Sequence, residues 1–209
     1  MIQSESNVQI KELIKLQKNA RERKKKKLFV AEGMKLTKEA AFHGKLKKIY
    51  IAQDVYEHRE RELDDFLAKQ DYEVVDTKIF RQAAQTVTPQ GMLALVEVPE
   101  YSVDTLLCDP KRSFLLLDDL RDPGNLGTIM RTAEGAGMSG VILSRESVDL
   151  FNPKVVRATM GAIFRVPFYY ADDLIEVIER LKAKQIPVYG TMMQGSEVYD
   201  ALDYTNGAA

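Results

Sequence analysis

Short apolar runs alternate with amphipathic stretches along most of the chain, and the pattern falls into two blocks. Apolar positions with a period near 3.6 predict helices, and short apolar runs bounded by turn residues predict strands. The first block covers residues 28–98 and the second begins at Phe114. Because strands and helices alternate in both, the pattern predicts two α/β units.

In the first block we predict strands at LFVAEG, LKKIYIA, YEVVD and MLALVEV, with helices between them at residues 34–42, 57–69 and 78–84. A helix at residues 8–20 and the basic run RERKKKK, residues 21–27, precede this block. Residues 99–113 lack a clear period and contain two prolines, which is typical of a linker. The predicted domains are therefore an N-terminal helix with the basic run (1–27), a small α/β domain (28–98), a linker (99–113) and a second domain (114–209).

In the second block FLLLDDL is a continuous apolar run, typical of a strand buried in a parallel sheet. A helix at residues 126–135, the strand VILS and a helix capped by Asn152 with Pro153 at its first position follow. An amphipathic helix at 172–184 and a fourth strand at 186–189 complete the pattern. The fold class is α/β, with a parallel sheet and helices on both of its faces.

Composition limits the possible classes of protein. The 209 residues are 45% hydrophobic, with one cysteine and two histidines, which excludes an internal disulfide framework and leaves too few ligands for a structural zinc site. No apolar run approaches the roughly 20 residues that span a bilayer, so we expect a cytoplasmic protein without a membrane partner.

The charge of the chain is balanced overall but concentrated at one end. Lysine and arginine number 30 against 31 acidic residues, yet residues 11–50 hold 14 basic and 4 acidic ones. Such a concentration is either a solvated surface or an electrostatic footprint for a polyanion such as RNA. The charge pattern by itself leaves both interpretations open.

Two glycine-bearing motifs are candidates for nucleotide sites. Gly135, Gly137 and Gly140 form a GxGxxG, but they close a helix instead of opening one, so they are predicted to form a C-cap and not a dinucleotide cradle. The loop DPGNLG lacks the lysine of a P-loop. It offers Asn125 and Arg131, which are either an N-cap and an exposed helix arginine or functional residues.

Several motifs in sequence order resemble one family. NLGTIMRTAEGAGMSGVIL and VVRATMGAIFRVPF are similar to the SpoU, or TrmH-like, RNA ribose 2′-O-methyltransferases of the SPOUT superfamily. The matching positions are Asn125, Gly127, Arg131-Thr132-Ala133, Arg157-Ala158-Thr159 and Gly161. Upstream, LFVAEGMKLTKEA and VTPQGMLALVE resemble the family's small RNA-binding domain, which is related in fold to a class of ribosomal proteins.

The resemblance implies methyl transfer from S-adenosylmethionine to a ribose 2′-hydroxyl in structured RNA, with ribosomal RNA the first choice and transfer RNA the second. It implies catalytic roles for Asn125 and Arg131, cofactor contacts at Gly190 and Thr191, a homodimer and no metal. The expected RNA contacts are Arg21, Arg23, Lys24, Lys25, Lys26, Lys27 and Arg157. The alternative is a non-catalytic RNA-binding module.

The sequence departs from the family pattern after residue 189. The family continues into an Asn-Glu-Gly loop and a Ser-Leu-Asn motif, which form its trefoil knot and most of its cofactor pocket, and neither motif occurs here. We therefore expect a C-terminally shortened methyltransferase domain that binds S-adenosylmethionine weakly or not at all. Val188 is expected to lie beside an unpaired sheet edge.

Overall fold

The computed structural model describes residues 1–109, 112–191, 195, 197–205 and 207–209. The chain divides into two compact units, Met1–Pro99 with Asp149–Phe164, and Glu100–Val148 with Arg165–Ala209. The segment 149–164, which the pattern assigned to the second block, thus belongs to the first unit. Its Phe151 and Phe164 rings pack 4.9 and 6.2 Å from the ring of Phe29.

Helices and strands alternate along most of the chain. They are α1 (Val8–Lys18), α2 (Ala20–Lys26), β1 (Leu28–Glu32), α3 (Met34–Phe42), β2 (Leu46–Ala52), α4 (Gln53–Glu57), α5 (Arg61–Leu67), β3 (Tyr72–Val75), α6 (Thr77–Ala83), β4 (Met92–Glu97), α7 (Val103–Leu106), β5 (Phe114–Leu117), α8 (Pro123–Gly135), β6 (Gly140–Ser144), α9 (Pro153–Ala158), β7 (Phe168–Ala171) and α10 (Leu174–Ala183). Short 3-10 helices occupy Ala162–Phe164 and Tyr199–Ala201.

The first unit is built on a mixed four-stranded sheet in the order β1-β4-β2-β3. β4 runs antiparallel to both of its neighbours, and β2 runs parallel to β3. Apolar residues of α1 and α6 pack on one face, and those of α3, α4 and α5 pack on the other. Because side chains of a strand alternate between faces, each strand can supply both cores.

The second unit contains a three-stranded parallel sheet in the order β5-β6-β7. All five residues of the central strand β6 are buried, as the apolar run VILS predicts. α7 and α10 pack against this sheet through one apolar core. Among the described residues, none of the helices is long and apolar enough to cross a membrane.

Several predicted elements differ in the structure. The predicted helix 8–20 ends at Lys18, because the side chain of Asn19 accepts hydrogen bonds from the N–H groups of Arg21 and Glu22 and starts α2. The predicted helix 57–69 is two helices, α4 and α5. The predicted linker contributes α7 with its buried Leu106, whereas Pro110 and Lys111 lie outside the described residues.

The predicted fourth strand at 186–189 is not a regular strand. Its backbone is paired with the last residue, since Tyr189 N–H donates to Ala209 O at 2.7 Å and Ala209 N–H donates to Pro187 O at 3.0 Å. This pairing occupies one side of the segment, and among the described residues no hydrogen bond involves the backbone of Val188 itself, so the expected unpaired edge stays a prediction. Gly207 allows this arrangement, because it has a φ of +91° and a Cβ there would lie 2.5 Å from Arg112 O.

Candidate active site

The loop after β5 is held in place by two buried serines and opens α8. Asp119 N–H donates to Ser144 Oγ at 2.8 Å, and Leu120 N–H donates to Ser147 Oγ at 3.1 Å. Asp119 adopts a φ of +47°, which is uncommon for a residue other than glycine. Sequence reasoning missed these serines, although Ser144 ends the otherwise apolar run VILS. They fix the position from which α8 starts.

Asp122 caps α8, and Asn125 does not, which corrects one of the two interpretations of that loop. The Asp122 carboxylate accepts a hydrogen bond from Asn125 N–H at 2.7 Å, and Pro123 occupies the first helical turn. Asn125 lies in that first turn with its side chain exposed. Its side-chain amide therefore remains available to a ligand.

Arg131 lies one and two-thirds turns further along α8. Leu126, Met130 and Ala133 are buried, so they fix the rotation of the helix and turn Arg131 toward solvent. Within the part of the chain that the structure describes, the guanidinium forms no hydrogen bond or ion pair. Arg131 and Asn125 are separated by about 9 Å along the axis and about 120° around it, so α8 carries both but not on one stripe.

The glycine motif at the other end of α8 behaves as predicted. α8 ends at Gly135, and Gly137 adopts a left-handed φ of +64° that terminates the helix. Gly140 opens β6 in close contact with its surroundings, because a Cβ there would lie 2.8 Å from the Leu106 side chain. The motif is a helix C-cap and a packing position, which confirms the predicted C-cap.

Gly190 and Thr191, the predicted cofactor contacts, follow the segment that pairs with Ala209. Both residues are exposed, and a Cβ built on Gly190 would meet no atom of the described residues within 4 Å. The described residues of this loop therefore present open backbone groups and do not enclose a nucleoside. They fit one-sided contact with a ligand, and not by themselves a complete adenosine pocket.

A second group of predicted site residues, the basic run, lies in the first unit and forms α2. Arg23 is 4% exposed, and its Nη2 and Nε donate to Asp149 Oδ2 at 2.6 and 2.8 Å. Its Nη1 donates to the carbonyl oxygens of Leu16 and Gln17. The prediction that Arg23 contacts RNA is corrected, because all three nitrogens are engaged inside the unit.

The remaining residues of the basic run lie nearer the surface, and most of them are exposed. Lys26 pairs with Glu12 of α1, and Lys27 caps the C-terminal end of α2 in the left-handed conformation. Arg21, Lys24 and Lys25 form no hydrogen bond through their side chains and no ion pair among the described residues. A polyanion can reach these three exposed cations without breaking an internal ion pair.

Arg157, the last predicted RNA contact, lies in α9 of the first unit. The residue is half-buried, and its Nη1 is buried without a hydrogen-bond partner among the described residues. Its role in RNA contact stays a prediction.

Comparison with known proteins identifies relatives of both parts of the chain. Residues 112–209 match the SpoU rRNA Methylase family, and residues 7–94 match the MRM3-like substrate binding domain. The chain is 32% identical over 210 residues to the Bacillus subtilis 23S rRNA (guanosine(2553)-2'-O)-methyltransferase RlmP, with 100% of this chain and 79% of that protein covered. It is 33% identical to human mitochondrial rRNA methyltransferase 3, over 80% of this chain and 38% of that protein.

Solved structures share the fold. An AdoMet-bound rRNA methyltransferase from Sinorhizobium meliloti superposes with a TM-score of 0.80 at 29% identity, over 99% of this chain and 78% of that one. The AdoMet complex of the SpoU methyltransferase AviRb from Streptomyces viridochromogenes gives a TM-score of 0.84 at 22% identity, over 97% of this chain and 79% of that one. At 22% identity the similarity to AviRb supports the fold alone.

Proposed function

Because the chain belongs to the SpoU rRNA methylase family, we propose that it methylates the 2′-hydroxyl of a ribose in ribosomal RNA, with S-adenosylmethionine as methyl donor. The relative RlmP matches the whole length of this chain, and its name gives that chemistry on 23S rRNA. Large-subunit ribosomal RNA is therefore the proposed substrate, and transfer RNA is the second choice.

The observation that carries the proposal is the pair of exposed residues on α8, Asn125 in its first turn and Arg131 in its third. Arg131 is a permanent cation with five donors and no internal partner among the described residues. A guanidinium cannot act as a general base at neutral pH, so we assign it the binding of the phosphate or of charge that develops near the ribose. Methyl transfer in line with the 2′-oxygen depends on such placement.

Asn125 is assigned to the ribose. Hydrogen bonds to Asp122, Ser144 and Ser147 order the loop. The side-chain amide of Asn125 is therefore not needed for that purpose, and it forms no hydrogen bond among the described residues. An exposed amide at a fixed helix start both donates and accepts, as recognition of a hydroxyl requires. Asn125 is thus proposed to orient the acceptor ribose.

S-adenosylmethionine supplies an electrophilic methyl group on its sulfonium. The described chain offers the exposed backbone at Gly190 and Thr191, and none of its atoms lies within 4 Å of a Cβ built on Gly190. We propose these two residues as cofactor contacts. The remainder of a cofactor pocket is not assigned to described residues.

The first unit is proposed to hold the RNA. It matches the MRM3-like substrate binding domain, and its α2 exposes Arg21, Lys24 and Lys25 without internal ion pairs among the described residues. Cations of this kind bind the phosphate backbone without reading its sequence. Lys26, Lys27 and Arg157 stay proposed contacts, and Arg23 is excluded.

Two further features stay predictions. We propose a homodimer because the resemblance to the family implies one. Light scattering of the purified protein tests it, and a single mass of about 24 kDa at all concentrations would contradict it. Cytoplasmic localisation also stays a prediction.

The test of the proposed function is transfer of a radiolabelled methyl group to 23S rRNA transcribed in vitro. We expect incorporation at one ribose, which becomes resistant to alkaline cleavage on its 3′ side. Replacement of Arg131 by alanine should lower the rate about 100- to 1,000-fold. RNA affinity should change little, because other cations bind the backbone.

The matched control is Arg180→Ala, since Arg180 lies in the same unit and pairs with Asp104. Its rate should equal that of the unaltered protein. A rate equally unaffected by Arg131→Ala, or binding of RNA without any methyl transfer, would reject the enzyme and favour the non-catalytic RNA-binding module.

A further inference from the structure

The C-terminal end of α3, in the first unit, carries an exposed aromatic side chain that the proposed function does not use. Phe42 is 86% exposed, although phenylalanine is among the residue types most often buried in proteins. It is the last residue of α3, directly before the chain turns at Gly44, where φ is +64°. Its ring is thus held at the end of a helix and not on a loose loop.

Phe42 is the outer end of a chain of ring contacts. The His43 ring meets it edge to face at 5.2 Å and stacks on Phe164 at 6.0 Å, with 12° between those two planes. Phe164 is 5% exposed and contacts Phe29 in the core. The ring contacts brace the α3 end against the core, so Phe42 has a rigid support while most of its surface faces solvent.

Two lysines flank Phe42. Lys35 lies seven residues earlier in α3, on the same face and about 10 Å away along the axis. Lys45 follows three residues later, across Gly44. Within the residues that the structure describes, neither lysine forms an ion pair, whereas Lys38 and Lys47 pair with Glu62 and Glu97.

We propose that Phe42 is a stacking platform for one unpaired base of the RNA substrate, and that Lys35 and Lys45 bind the phosphates on either side of that base. The inference rests on the proposed function, because it names the part of the RNA that the first unit holds. Single-stranded regions of RNA are recognised by stacking of unstacked bases on aromatic rings, with cations on the backbone. An apolar protein partner would gain nothing from two lysines beside the ring.

The sequence offers a direct measurement, because the chain contains no tryptophan. Phe42→Trp introduces a single indole at the platform, and stacking of a base on it should quench its fluorescence. The probe is a fragment of 23S rRNA, transcribed in vitro, that contains guanosine 2553, the nucleotide for which RlmP is named. Val8→Trp is the matched control, since Val8 is 78% exposed on α1 of the same unit and should not be quenched.

Affinity measurements complete the test. Phe42→Ala should weaken binding of the fragment about 5- to 100-fold without changing the dependence on salt, because it removes stacking and no charge. Phe42→Tyr should retain nearly full affinity. Lys35→Ala and Lys45→Ala should each make the slope of log affinity against log salt less negative by about 0.7 to 0.9.

The outcomes separate the platform from the proposed function. If RNA binds and is methylated but Phe42→Ala binds equally well and Phe42→Trp is not quenched, the platform is rejected while the enzyme stands. If no RNA binds at all, the proposed function and the platform are both rejected. If the indole emission of the Phe42→Trp variant shifts to the blue with protein concentration in the absence of RNA, a second copy of the chain covers the ring and the platform is rejected.

Discussion

α2 and α8 each carry an arginine that was predicted to act on RNA, Arg23 as the fourth residue of α2 and Arg131 as the ninth of α8. In α2 the guanidinium of Arg23 donates hydrogen bonds to Asp149 and to two carbonyl oxygens. In α8 the side chain of Arg131 extends to solvent and has no internal partner among the described residues. The denser cluster of charge thus contains the structural arginine, and the isolated arginine is the candidate catalytic residue. Positive charge in a sequence indicates function only after the internal acceptors have been assigned.

The largest expected difference between the two helices is in stability. Arg23→Ala should lower the free energy of unfolding by about 3 kcal/mol, because it leaves Asp149 and two carbonyl oxygens without their donor. We place the loss at the low end for a buried pair because the Asp149 side chain is 28% exposed. Arg131→Ala should change the free energy of unfolding by less than about 0.5 kcal/mol. Urea denaturation of both variants measures the difference, and equal values would abolish the distinction.

A smaller effect is expected at the two helix caps. Asn19→Ala and Asp122→Ala each remove a side-chain acceptor from the first turn and should each cost about 1 kcal/mol. Only Asp122→Ala should also slow methyl transfer, because it loosens the turn that holds Asn125. Asp122→Asn keeps an acceptor and serves as the control in the same denaturation and transfer assays. A rate loss with Asn19→Ala as large as with Asp122→Ala would contradict the assignment.

RNA binding should separate the exposed cations of α2 from Arg23 itself. Replacement of Lys24 and Lys25 together by alanine should make the slope of log affinity against log salt less negative by about 1.5. Stability should stay within about 0.5 kcal/mol. Filter binding of 23S rRNA across a salt series provides the slope. An unchanged slope would mean that these lysines do not bind RNA phosphates and are ordinary solvated surface residues.

The smallest effect concerns one carboxylate near each helix. A hydrogen bond from Lys15 lowers the pKa of Glu22 in α2, and one from Arg121 lowers the pKa of Asp119 before α8. Because both values are depressed on folding, the stabilisation by each pair is present above the ordinary carboxyl pKa and is lost as the pH falls through the folded value. NMR titration of the carboxyl carbons should show the pKa of Glu22 rising in Lys15→Ala, and that of Asp119 rising in Arg121→Ala. Each substitution should leave the other carboxyl group unchanged.

Most strands and helices could be predicted because each depends on a local pattern. The four strands of the first unit and two of the three in the second coincide with the predicted apolar runs, and Asn152 caps α9 as its sequence indicates. The same rule, a capping residue directly before proline, also identifies Asp122 as the cap of α8. The pattern of apolar positions starts that helix at Leu126, three residues late, and this is why Asn125 resembled a cap.

The remaining differences depend on residues that are distant in sequence. Arg23 is neutralised by Asp149, which lies 126 positions away, so no local pattern distinguishes it from Lys24. The pairing of residues 187–189 with Ala209 replaces a regular strand for the same reason. The candidate site shows the same difference between local and distant information. The family motif is local in sequence and predicted Asn125 and Arg131 as site residues, whereas the roles of Ser144 and Ser147 depend on contacts with a loop about 25 residues away.

The segment Asp149–Phe164, which completes the first unit, is synthesised long after the rest of that unit. Phe29 leaves the ribosome more than 120 residues before Phe151 and Phe164, the two rings that pack against it. At about 5 to 20 residues per second this interval lasts on the order of 10 s. Throughout it, one apolar side of β1 remains without these partners, so we expect a nascent chain stalled before residue 149 to bind chaperones and a chain released beyond residue 164 to escape them.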